Sequence, residues 1–206
     1  MPTPYEILQG LETIANQMSP LAIIWHIALV GMLIGFIAGW RPTVRFVRIA
    51  LTLLLLSVSA MAWLFGNPFN GAVFLFFAIF MISFGLKPDH DKISFNFGWA
   101  GIVGIIMTVF GLIYPHFLHT DSLFPYLYRS PVGLVPCPTL SFIIGLALIL
   151  DNLRSRGWYI MLIGAGMIYG IVGAFRLAVT ADLVLLAGAI LLTINVFITG
   201  KPTASD

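Results

Sequence analysis

The sequence predicts an all-α protein: a polytopic transmembrane helix bundle of about seven spans, preceded by a short amphipathic helix. Two observations predict it. Hydrophobic residues make up 60% of the 206 and charged residues only 9%, with a mean hydropathy of +1.03, far from soluble-domain usage. The apolar residues also gather into segments close to the ~20 that a helix needs to cross a hydrocarbon core about 30 Å thick. These are 20–40, 44–65, 70–86, 98–118, 132–150, 157–175 and 182–199. The third and seventh are short, so six spans plus a re-entrant segment is the alternative. Residues 20–199 then form one transmembrane domain, with an outer interfacial helix at 1–19 and a cytoplasmic tail at 200–206. The net charge of +2, scattered over separate loops, excludes nucleic acid as a partner. The lipid bilayer is the partner that the composition demands. Other membrane subunits or a second copy of the chain are further candidates.

The elements follow in order. Thr3-Pro4-Tyr5-Glu6 fits a capping box with proline at the first helical position. Ile7, Leu8, Leu11, Ile14, Ala15 and Met18 then recur on one helical face, as in a helix lying on the outer membrane surface. The first span carries Gly31, Gly35 and Gly39, and the sixth carries Gly166, Gly170 and Ala174. Such small-residue stripes let helix backbones approach closely. They serve packing within the chain or docking of another subunit. Asn67-Pro68 reads as a turn before the third span. His90, in Lys-Pro-Asp-His-Asp-Lys, belongs to a solvated turn. Arg176 and Asp182 bracket the last connection, where arginine can satisfy the final carbonyls of one helix and aspartate can cap the next. The five tryptophans lie mostly near span ends, as an aromatic belt places them.

Charge placement orients the bundle. Arg41, Arg45, Arg48, Lys87, Lys92, Arg154, Arg156 and Lys201 fall on one side, and only Arg129 and Arg176 on the other. The positive-inside rule then puts the N-terminus outside and the C-terminus in the cytoplasm.

The block Pro131-Val-Gly133-Leu-Val-Pro136-Cys137-Pro138-Thr139 holds the only cysteine. Proline cannot continue a helix interior, and irregular backbone at membrane depth must be buried in protein or line a wet cavity. Counting about 20 residues back from Asp151 puts the outer hydrocarbon edge near Pro131. Cys137 then lies roughly 9 Å below it at 1.5 Å per residue. The same count places His26 level with Cys137, Tyr114 just below the edge, and His116 and His119 at it. Imidazole and thiolate are ligands that copper(I), zinc and haem iron favour, so His119, Cys137 and His26 form a candidate metal set. His116, Tyr114, Thr139 and Arg129 extend the candidate ligand-binding set. The cofactor itself is not specified by the sequence. Each residue also has a structural reading: His26 as a hydrogen-bonded packing residue, His116 and His119 as wet loop residues, Cys137 as a small apolar filler. With Pro138 at the first helical position, Cys137 falls at the N-cap, where free amides stabilise a thiolate. Pro136, Pro138, Gly133, Asn67, Pro68, Arg176 and Asp182 are expected to shape the fold.

Several features in this order resemble a bacterial multi-pass membrane family, the domain of unknown function numbered 6064. They are Asn16 followed by Pro20, Asn67-Pro68, Tyr114-Pro115 leading to His119, the Pro131–Thr139 block, and Asp182 opening the last span. Met18-Ser19 departs from the aromatic that the family tends to place there. The resemblance implies the architecture and the choice of residues, and it carries no reaction. The favoured function is binding or transport of a small ligand or metal at an outward recess around the Pro-Cys-Pro helix start. An accessory subunit of a larger membrane complex is the alternative, and a membrane enzyme using Cys137 is third.

Overall fold

In the computed structural model, which describes residues 3–85, 91–153 and 155–199, the chain is helical from its first turn. The capping box forms as predicted. The Thr3 hydroxyl accepts the Glu6 amide at 3.3 Å and the Glu6 carboxylate accepts the Thr3 amide at 2.7 Å, opening α1 (Pro4–Gln17). These bonds hold the Glu6 carboxyl below its ordinary range. Leu11, Ile14 and Ala15 of α1 are buried in the core shared with the other helices. The apolar face therefore packs on protein rather than on the lipid interface that the sequence suggested.

Next come α2 (Ser19–Ile37), α3 (Val44–Leu64), α4 (Pro68–Gly85) and α5 (Trp99–Ile113). A single turn, α6 (Tyr126–Arg129), precedes α7 (Pro136–Ile149). α8 (Arg156–Ile171) continues as a π-helical turn, Val172–Arg176, and α9 (Asp182–Thr199) ends the described chain. Among the described residues there is no β-strand, only the isolated bridges Thr43–Lys92 and Phe95–Leu150. Ser19–Ile37, Val44–Leu64 and Arg156–Arg176 are long and apolar enough to cross a membrane. Pro68–Ser83, Trp99–Ile113, Pro136–Ile149 and Asp182–Ile198 are apolar but shorter. The stretch around Lys87 and His90, Arg154, and the tail with Lys201 lie outside the described residues.

α7 is the centre of the bundle. Every residue from Pro136 to Leu148 is buried, with α3, α5, α8 and α9 packed around it. Its approach to α5 is close enough to require glycine. A Cβ on Gly104 would meet the Gly145 carbonyl at 2.7 Å, and one on Gly111 would meet the Phe142 amide at 2.5 Å. The sixth-span stripe packs internally as well: Gly166 faces Ala189 and Gly170 faces Leu186. The first-span stripe does not. Gly31 has nothing within 4 Å and Gly35 meets only the Trp40 ring, because α2 stands at the edge, against α1 and α6.

α7 has 14 residues and reaches only about 21 Å at 1.5 Å per residue. Ser130–Val135 leads into it and is irregular yet buried throughout. Such backbone is tolerated only if its polar groups are satisfied. The Val132 amide bonds to Ser130 O, and those of Leu134 and Val135 bond to Pro131 O. The Gly133 amide donates to the Thr139 hydroxyl at 2.8 Å, which itself donates to Val135 O at 2.7 Å. Pro131, Pro136 and Pro138 have no amide to satisfy. Gly133 adopts φ +79, and a Cβ there would strike Leu54 and Trp25.

The bundle has two distinct ends. Away from α1, the segment 91–98 bridges neighbouring helices: the Val44 amide bonds to Asp91 O, and the Asn96 amide to Ile149 O. Arg41, Arg45, Arg48, Lys92 and Arg156 lie at this end, whereas Arg129 and Arg176 lie at the α1 end.

Candidate functional site

The site is built at the α1 end, from helix termini that alternate in direction. The Asn67 side chain accepts the Asn70 amide at 3.1 Å and fixes the start of α4, as the Asn-Pro reading predicts. α5 ends at Tyr114, whose φ of −20 and ψ of 103 leave the helix because Pro115 forbids its continuation. The Tyr114 ring is fully buried and stacks on Phe117, with centroids 5.8 Å apart. Its hydroxyl donates to Oδ1 of Asp182 at 2.5 Å.

Asp182 is 1% exposed. The sequence assigned it to capping α9; instead its carboxyl turns inward and accepts from a residue 68 positions away. Room for it comes from the last turn of α8. The chain there widens into the π-turn Val172–Arg176, and Gly173 presents no side chain where a Cβ would collide with Asp182 Oδ2. Such widened turns are frequent at functional sites. The Gly173 carbonyl accepts the Val179 amide at 2.9 Å, closing the loop into α9. Arg176 at the end of the turn is exposed.

The Cys137 thiol faces the same carboxyl closely enough to interact with it. No hydrogen-bond donor among the described residues is aligned on Oδ2. Cys137 is not the N-cap: α7 begins at Pro136 with Val135 as the cap, so Cys137 is the second helical residue. Prolines at the first and third positions remove two of the amides that were to stabilise a thiolate. Burial is the main influence on the sulfur, followed by the Asp182 carboxyl. Tyr169 of α8 donates to Oδ1 of buried Asn70 at 2.7 Å.

The other predicted residues lie elsewhere. His26 is buried on α2 and faces the backbone of Leu127 in α6, so it does not share the Cys137 environment. The side chain of His119 is 71% exposed, 3.6 Å from Glu12 of α1. It lines an open groove of about 310 Å³ with Tyr5, Leu8, Gln9, Glu12 and Thr13. His116 is half-buried, edge-on to Phe117 at 4.6 Å. Burial holds its imidazole below the ordinary range, opposed by the Glu12 charge. Arg129, at the end of α6, keeps a buried Nε without a partner. Thr139 is occupied by the Gly133 turn. Among the described residues no three His, Cys, Asp or Glu side chains are placed to hold a metal ion. The set His119, Cys137 and His26 is therefore a correction: equal depth on separate helices did not mean a common site. Asn70, Tyr169 and Gly173 were missed by sequence reading. The first two were visible as polar groups inside apolar helices; Gly173 gave no signal.

Fold and site define a membrane-type helical protein with one buried acid among its described residues. The Tyr114 hydroxyl from the end of α5 and the Cys137 thiol of α7 lie beside that acid. Comparison with protein-family models, with curated proteins and with solved structures finds no match to the chain.

Proposed function

We propose that this is a seven-span protein of a bacterial inner membrane, with its N-terminus outside, that binds or passes a small ligand beside Asp182. The observation that carries the reading is the Asp182 carboxyl itself: buried, bonded by one phenol, and without a donor on Oδ2. An ionisable group at membrane depth is costly and is a functional residue by default. The positive-inside rule, applied to the basic end opposite α1, supports the orientation and puts the cluster near the outer face. The resemblance to the family numbered 6064 points the same way, since Tyr114, the Pro-Cys-Pro block and Asp182 are among the residues that carry it. A second reading, an accessory subunit, draws on the open Gly31 face of α2.

The test is thermal unfolding of the protein in lipid nanodiscs against alkali cations, small amines and pH. Wild type, Asp182→Asn and His119→Ala are compared. A ligand at 100 times its Kd stabilises by about 2.7 kcal/mol, which raises Tm by roughly 5–11 °C for a chain of this size. The reading expects at least one such rise in wild type and His119→Ala, lost in Asp182→Asn. A response kept in Asp182→Asn, or none in wild type under any condition, overturns it.

A further inference from the structure

The groups facing Asp182 from each packed element are few. They are the Tyr114 hydroxyl from α5, the Cys137 thiol from α7, and the backbone of Gly173 from the π-turn. No Lys, Arg or His is among the groups acting on it. An ionised carboxylate presents about four acceptor sites and seeks donors for them; here a single O–H is directed at Oδ1. The acid form has other needs: one donor for its carbonyl oxygen and one acceptor for its own O–H. Tyr114 supplies the donor, and Oδ2, on which no donor among the described residues is aligned, is the oxygen left to carry the proton. Gly173 closes one side of Oδ2, since a Cβ there would collide with it. Burying a lone carboxylate without a cation or further donors is also the costlier choice.

We infer that the ligand of this site is a proton, carried on Oδ2 of Asp182. The inference rests on the reading of the Asp182 cluster as the functional site and names what that site holds. The step it describes is simple addition and loss of H⁺ at one oxygen.

Infrared difference spectroscopy of the full-length protein in nanodiscs tests this. Cys137 is the only cysteine, so the S–H stretching band belongs to it alone. The expected result is a carboxylic acid C=O band at mildly acidic pH that shifts in D₂O and is missing in Asp182→Asn. The S–H band should move in Asp182→Asn, and the C=O band should move in Cys137→Ser. On alkaline titration the C=O band should fade with the same midpoint at which the S–H band shifts. If Asp182→Asn fails to fold, Tyr114→Phe replaces it: loss of the donor on Oδ1 should shift the C=O band. An acid band absent at every pH at which the protein is folded, or one indifferent to these variants, overturns the inference. Should that happen while Asp182→Asn still abolishes ligand-induced stabilisation, the proton assignment fails and the ligand site stands. Insensitivity in both experiments removes the site as well.

Discussion

Asp182 governs the residues around it more than any other side chain. Tyr114 satisfies one of its oxygens, Cys137 faces it, and Gly173 is glycine because a Cβ would occupy the place of Oδ2. Gly173→Ala should therefore lower unfolding stability by ~1–3 kcal/mol, through overpacking and displacement of a buried carboxyl. Gly164, in the same helix but with nothing within 4 Å, is the control. Its change to Ala should stay within ~1 kcal/mol of wild type, helix propensity being the main effect. Chemical unfolding in detergent micelles measures both, and equal effects would contradict the close contact at Gly173. Sequence reading singled out Tyr114, Cys137 and Asp182 separately, and it placed all three toward the same end of the bundle. Their meeting was not legible. Counting residues gives depth along a helix, but the order of helices around the bundle depends on packing that apolar side chains of similar size do not encode. His26 shows the consequence: it was counted level with Cys137, yet it faces α6.

At the scale of elements, α1 and the 114–125 loop act as one unit. The Asn16 amide group donates to Phe117 O at 2.8 Å, and its oxygen accepts the His119 amide at 3.0 Å. Between these contacts lies His116, whose imidazole pKa is lowered from 6.5 by burial. The folded loop therefore resists protonation that the unfolded chain accepts. Its stabilising contribution is full above about pH 6.5 and declines as pH falls below that value. Amide hydrogen exchange, corrected for intrinsic rates, should show weaker protection of residues 114–120 at about pH 5 than at about pH 8. His116→Gln should flatten the difference, and equal protection of wild type at both values would contradict the account. The capping box of α1 was legible because it is local, four residues deciding their own geometry. The ends of α5 and α7 were only partly legible. Prolines marked where helix stops, but not that the Pro131–Val135 stretch could stay buried by removing amides and pairing the rest.

For the whole molecule, composition fixed the class. The three longest apolar helices have the length and hydropathy to cross a membrane. What composition hid was which helix is central. In a bilayer, side chains facing lipid are as apolar as those facing protein, so α7, wholly buried, and α2, at the edge, read alike in sequence. The glycines that bring α5 against α7 were the usable signal, since close approach needs small residues at both surfaces. The arrangement converges on Tyr114 and Asp182, which join the end of α5 to the start of α9. A double-mutant cycle with Tyr114→Phe and Asp182→Asn measures that link most directly, by unfolding the two single variants and the double. The account predicts a coupling of about 1–3 kcal/mol, as for a buried hydrogen bond between interacting residues. Additivity within ~0.5 kcal/mol would show that the two side chains act independently and would contradict it.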